Sequence, residues 1–324
     1  MILLSLWSLL LFLVIYLTST GCQAYKPLSQ IALSTLKDQH YSIQDYSKPL
    51  FIPRIAGTPG NENARSIIVN HFQQLDWDVT LDTFTTMTPV GPVKFTNIIA
   101  TLNPKAEKRL VMSAHYDSKY YKDFEFIGAT DSAVPCGMLL EMAVALDNPL
   151  KNSKNDDTTL QMVFFDGEEA FEKWTDMDSI YGARHLAQEW EQSGDLKKIE
   201  VLVLLDLLGA PNPTLPNYYP STSWLFNKLV HIEQRITHGT TQMFDLNSPL
   251  TFRGHIMQDD HLPFLHRGVD IIHAIPYPFP EVWHKETDDP EHIDFQVAQT
   301  LSIIFRCFVA EYLELSIDIY HSEL

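Results

Sequence analysis

The chain has 324 residues, 45% hydrophobic and 20% charged, the balance of a globular protein and not of a disordered or collagen-like one. Lys and Arg number 23 against 41 Asp and Glu, a formal charge of −18, so the surface repels phosphate backbones and nucleic-acid binding is not expected. Three cysteines, Cys22, Cys136 and Cys307, are too few for a disulfide framework.

Residues 1 to 17, MILLSLWSLLLFLVIYL, form an uncharged apolar run that gives way to the small polar residues of STGCQA. The expected reading of residues 1–24 is a secretory signal peptide cleaved after Ala24, although a basic n-region is missing. An uncleaved membrane anchor is the alternative, since about 17 apolar residues approach the length that spans a bilayer. A buried core helix is the third reading. Residues 25–324 show no repeat, long linker or low-complexity tract and are read as one catalytic domain. If the signal is removed, Cys136 and Cys307 remain. Both lie in apolar helical contexts and are expected to be buried thiols, not a bonded pair.

Along the mature chain, a turn rich in Pro and Gly (PRIAGTPG) precedes a helix with Ala64, Ile67, Ile68 and Phe72 on one face. TNIIATL (96–102) and RLVMSAHYD (109–117) read as strands, and CGMLLEMAVALDN (136–148) as a helix. LQMVFFDG (160–167) is a continuous apolar run ending in a polar turn, the pattern of a buried strand. A helix (178–192), a buried strand (199–209), a last strand (270–278) and a long amphipathic helix (293–315) follow. Strands alternating with helices predict an α/β fold: a single globular domain with a mixed, mostly parallel central sheet and helices on both faces.

Ligands of such sheets bind beyond the carboxyl ends of the strands. There AHYD, FFDGEE, LLDLLGAPNP and PFPEVWH each deliver Asp, Glu or His, and GATDSAVP does so before a helix. Five loops carrying metal-type ligands are hard to explain as solvated turns. Catalytic zinc takes three such ligands and keeps one position open. Asp131, Glu169 and His284, from three separate strand ends, fit that requirement. Glu168 lies beside Glu169, so one can bind metal while the other faces the substrate as a base. Alone, an acidic pair at a helix start could equally serve the helix dipole.

These stretches resemble the animal-type glutaminyl-peptide cyclotransferases, or glutaminyl cyclases, relatives of the zinc aminopeptidases. AHYDSKY (114–120), GATDSAVPCGMLLEMA (128–143), FFDGEEAFEKW (164–174), DSIYGARHLA (178–187), LLDLLGAPNPT (204–214), QDDHLPFLHRGV (258–269) and PFPEVWH (278–284) carry the resemblance in family order. The resemblance implies a zinc aminopeptidase-like fold and one Zn2+ per chain, held by Asp131, Glu169 and His284. It implies conversion of an N-terminal glutamine, more slowly glutamate, of peptides and proteins into pyroglutamate. Glu168 is then the general acid/base, and Asp206 and Asp259 are catalytic acids near the attacking amine that could share a proton. Trp174, Gln258, Phe279 and Trp283 line the glutamine pocket, with Lys119 and Ser132 nearby. His115 and Asp117 become supporting residues. A monomer in the secretory pathway is expected, secreted, or anchored in the Golgi membrane if the N-terminal segment is kept. The chain departs from disulfide-bearing relatives in having Ala114 where they place the cysteine that pairs with the equivalent of Cys136. The competing reading is a zinc aminopeptidase with two metals, for which His115 and Asp206 would complete the ligand set. A binding protein on a decayed scaffold would have lost ligands, and none is missing.

Overall fold

The computed structural model describes residues 26–39, 41–154, 156–246 and 257–317. The proposed signal segment, with Cys22, lies outside them. Among the described residues no helix is long and apolar enough to cross a membrane.

In chain order the main elements are α1 (Gln30–Lys37), α2 (Ile43–Ser47), α3 (Pro59–Gln74), β1 (Asp78–Thr88), β2 (Gly91–Thr101), β3 (Lys108–His115), α4 (Val134–Ala145), β4 (Thr158–Phe165), α5 (Tyr181–Ser193), β5 (Ile199–Leu205), α6 (Ser223–Thr237), β6 (Ile271–Ala274) and α7 (Phe295–Tyr312). One sheet runs β1-β2-β4-β3-β5-β6. The hairpin β1/β2 is antiparallel and joins β4 antiparallel, while β4, β3, β5 and β6 are mutually parallel. The sheet is therefore mixed and mostly parallel, as the alternation of strands and helices predicts.

The period of two along each strand sorts the core into two layers. Leu110, Met112 and Ala114 of β3, Met162 and Phe164 of β4, and Val203 and Leu205 of β5 face one way, into the main core with α3, α4, α6 and α7. Val111, Val163, Phe165, Leu202 and Leu204 face the other way, against Ala183, Leu186, Ala187 and Trp190 of α5. Burial on both faces explains why these strands read as unbroken apolar runs. Helix α4 is buried all round because it lies between the sheet and α7. Its one charged residue, Glu141, meets Arg306 and Ser302 of α7, so the buried carboxylate has partners.

The structure moves several predicted boundaries. The strand predicted over 199–209 ends at Leu205, and that predicted over 270–278 spans only Ile271–Ala274. The helix predicted from residue 178 begins at Tyr181, because the Asp178 carboxylate instead accepts from the backbone N–H groups of Phe171, Glu172 and Lys173 and shapes the preceding loop. Strand β1 and helices α1, α2 and α6 are not among the predicted elements. Cys136 and Cys307 are buried free thiols, as expected, and burial pushes both up to about 12.

Candidate active site

The parallel strands end along one edge. β3 delivers His115 and, just beyond, Asp117. β4 delivers Asp166, Gly167, Glu168 and Glu169, and β5 delivers Asp206. Asp131 and His284 are not at strand ends, contrary to the sequence reading. Asp131 sits in the turn Ala129–Ala133 that opens α4, and His284 lies in a loop well past β6. Both segments fold back over the strand edge.

Local sequence makes these turns. Gly167 has φ +69°, and a Cβ there would meet the Phe95 ring at 2.3 Å, so only glycine lets the chain turn between Asp166 and Glu168. Gly128, at φ +60°, makes the same demand before Asp131, whose carbonyl would lie 2.1 Å from a Cβ. The Asp117 carboxylate accepts from the N–H of Glu168 (3.0 Å) and of Glu169 (3.1 Å), which fixes that turn from below. Asp288 accepts from the N–H and hydroxyl of Thr130 (2.8 and 3.0 Å) and so ties the His284 loop to the Asp131 turn. His284 itself is a non-glycine residue at φ 56°, with its ring stacked on Trp283 at 4.2 Å. Such backbone costs about 1–3 kcal/mol and persists where surrounding contacts enforce it.

The result is a convergent trio. His284 Nε2 lies 3.4 Å from Asp131 Oδ2 and 3.4 Å from Glu169 Oε1. A tetrahedral zinc with ligand bonds of about 2.0–2.2 Å needs its ligand atoms about 3.4 Å apart. His284 thus stands at the right edge length from both carboxylates, and the three ligand atoms all lie within 4.8 Å of one another. Glu169 Oε1 is buried without a hydrogen-bond partner, while Oε2 accepts from Lys119 Nζ at 3.1 Å. One oxygen is anchored and the other is left for a cation. Burial disfavours charge on His284, yet Asp131 and Glu169 hold its imidazole up to about 10, the sign of a site that seeks a positive charge.

A second acidic cluster adjoins it. His115 Nε2 stands 3.0 Å from Asp131 Oδ1 and 3.3 Å from Asp206 Oδ1, and its Nδ1 is 3.4 Å from Asp117. Burial opposes its protonation, but these three carboxylates raise it well above the ordinary range. Asp206 Oδ1 also accepts from the Ser132 hydroxyl and from the N–H of Leu207. Glu168 is buried, and burial together with Glu169, Asp259 and Asp260 raises it well above a normal glutamate, against the opposing pull of His115. Asp259 is raised by burial and by Asp206, but its Oδ2 lies 2.7 Å from His273 Nε2. The proton sharing expected between Asp206 and Asp259 is therefore not seen as a hydrogen bond among the described residues.

All ten residues singled out as site residues border one cavity of about 210 Å³: Asp131, Glu169 and His284, then Glu168, Asp206 and Asp259, and the walls Trp174, Gln258, Phe279 and Trp283. Trp174 Nε1 donates to Gln258 Oε1 at 2.7 Å, and the Phe279 and Trp283 rings meet edge to face at 4.8 Å. Leu207, Met257 and Ile275 complete the lining and were not foreseen. Nor were His273, Asp260 and Asp288, whose positions only the folded chain brings to the site. The sole signal for Asp288 is its place four residues after His284.

Residues 97–309 match Peptidase family M28, so the class is that of an exopeptidase-like α/β enzyme. Within it, the chain is 45% identical over 293 residues to the glutaminyl-peptide cyclotransferase of Drosophila melanogaster, covering 86% of this chain and 82% of the relative. It is 44% identical over 315 residues to that of Bos taurus, covering 89% and 86%. The crystal structure of Macrostomum lignano glutaminyl cyclase superposes with a TM-score of 0.83 at 35% identity, covering 90% of this chain and 96% of that one. The chain belongs to the glutaminyl-peptide cyclotransferases, enzymes built on the M28 domain.

Proposed function

We propose that residues 25–324 form a one-zinc glutaminyl-peptide cyclotransferase that closes the N-terminal glutamine of a peptide, and more slowly a glutamate, into pyroglutamate. The observation that carries this reading is the convergent Asp131–Glu169–His284 trio on the same small aromatic cavity as the buried Glu168. Zinc held there supplies Lewis-acid polarisation of the side-chain carbonyl.

In this reading the α-amine attacks the side-chain amide carbon, a C–N bond forms, and the old C–N bond breaks to release ammonia. Glu168 takes the proton the amine loses and returns it to the departing nitrogen. It borders the same cavity as the three candidate ligands, the place such a proton carrier needs. Asp206 and Asp259 hold the amine, and the His273 contact fixes the Asp259 carboxylate. Trp174, Phe279 and Trp283 wall the pocket and keep out water that would hydrolyse the amide instead.

The aminopeptidase alternative needs a second metal between His115, Asp131 and Asp206, whose ligand atoms do cluster. There Asp206 Oδ1 already receives two donors, Ser132 and Leu207. That occupancy favours one metal. We also read residues 1–24 as the signal that sends a monomeric enzyme into the secretory pathway, for secretion or, uncleaved, for Golgi anchoring. Purified protein is to be incubated with Gln-initiated and Leu-initiated peptides and the products weighed by mass spectrometry. Loss of ammonia from the first and no change in the second is expected. Removal of leucine from the second, with two zinc ions per chain, would replace this reading by the aminopeptidase one.

A further inference from the structure

Arg54 is among the largest fully buried side chains, and the mechanism above makes no use of it. Its guanidinium donates to five backbone carbonyls: Nε to Tyr116 (2.8 Å), Nη1 to Leu50 (2.6 Å), Ile52 (3.0 Å) and Ile127 (2.7 Å), and Nη2 to Gly128 (3.2 Å). Its backbone N–H donates to Ser118 Oγ at 2.8 Å, and that hydroxyl reaches Phe126 O at 3.4 Å. Among the described residues no carboxylate pairs with the guanidinium directly, though Asp117, Asp131 and Asp288 favour its charge from further off. Burying a cation is costly, and an apolar side chain in its place would leave these carbonyls buried without a donor, so the guanidinium is tied to the segments that carry them. The arrangement calls for a reason beyond packing.

The partners supply it. Tyr116 and Ser118 flank Asp117, whose carboxylate holds the N–H groups of Glu168 and Glu169. Ile127 and Gly128 begin the turn that carries Asp131, and Gly128 O also accepts from Ala133 N at 3.1 Å, closing that turn. One planar fork therefore grips both of these segments at once. We propose that Arg54 is a positioning residue for the metal site: it sets the spacing between the Asp131 turn and the segment that orients Glu169. This rests on the reading of Asp131, Glu169 and His284 as ligands. A lysine cannot replace it, because one ammonium on a flexible stem cannot span carbonyls on both sides in fixed directions.

The test uses the full-length protein, with zinc affinity measured by competition against a chromophoric chelator and ligand geometry by the visible spectrum of the Co2+-substituted form. Arg54→Lys is compared with Arg306→Met, which removes another buried arginine remote from the ligands, and with Asp131→Ala. Arg54→Lys is expected to weaken zinc binding about 10–100-fold, the usual cost of losing an outer-sphere partner, and to alter the Co2+ spectrum. Arg306→Met should lower the melting temperature while keeping wild-type zinc affinity. A folded Arg54→Lys protein with wild-type zinc affinity and spectrum overturns the proposal. Should Arg54→Lys not fold, Arg54→Gln decides, since its neutral amide avoids a buried charge but cannot span both segments: weaker zinc binding at full folding supports the bracket, and unchanged binding overturns it. If Asp131→Ala keeps zinc, it is the ligand assignment that has failed and not the bracket.

Discussion

Asp117→Asn weakens a pair of backbone hydrogen bonds beneath the site and removes the charge that faces His115 Nδ1 at 3.4 Å. Asp117 is 1% exposed, and its two oxygens accept from Glu168 N at 3.0 Å and Glu169 N at 3.1 Å. An asparagine has nearly the same shape but only one acceptor oxygen. Whichever way the amide turns, one of the two N–H groups faces an NH₂ donor. A buried donor left unsatisfied costs about 1–3 kcal/mol, and the surviving bond loses its charged acceptor, worth about another 1 kcal/mol. The expected loss is about 2–4 kcal/mol. For a domain of this size, at about 2 °C per kcal/mol, the melting temperature should fall by about 4–8 °C. The fall should appear in the metal-free protein too, because the bonds do not involve the metal, and turnover should drop with it as Glu168 and Glu169 lose their orientation. Calorimetry of metal-free and zinc-loaded samples is the assay. A variant with the wild-type melting temperature in both states would show that Asp117 does not hold this turn.

Four further outcomes are expected. Glu168→Gln preserves shape and removes the proton acceptor, so zinc content should persist while kcat falls about 10²–10⁴-fold, and near-normal turnover would assign the base elsewhere. Arg306→Met leaves Glu141 buried beside Ser302 alone, at about 3–5 kcal/mol in denaturant titration, whereas pairing it with Glu141→Leu should recover most of that. Wild-type melting should not respond to reducing agent, since Cys136 and Cys307 are free. Ala114→Cys should gain about 3 kcal/mol under oxidising conditions by bonding to Cys136, leaving Cys307 as the one free thiol of residues 25–324, and three free thiols persisting after oxidation would refute that geometry.

Much of the fold is legible in the chain itself. The runs at β3, β4 and β5 are continuous because both sheet faces are covered, and β4 and β5 each end where an acidic residue begins. Strand β1 escapes this signal. It lies at the sheet edge with most of its residues exposed or half-exposed, so the threonine-rich DVTLDTFTTMT carries no apolar stripe to betray it. Helix α6 does carry one, with Leu225, Leu229, Ile232 and Ile236 at helical spacing, and its omission is a failure of reading and not of signal.

The site divides the same way. The polar loops after the apolar runs pointed to Asp131, Glu168, Glu169 and His284, because metal and proton chemistry restrict which side chains can serve, and the resemblance to glutaminyl cyclases added Asp206 and Asp259. Tertiary structure alone decided how those groups meet. It brings His284 back to Asp131 from a distant loop, hands Asp259 to His273 and not to Asp206, and threads Arg54 between two loops through backbone carbonyls. Carbonyl oxygens belong to every residue, so a side chain that acts on them leaves no mark in the sequence of its partners. Only the packed chain, which must satisfy every buried donor, shows where such a residue points.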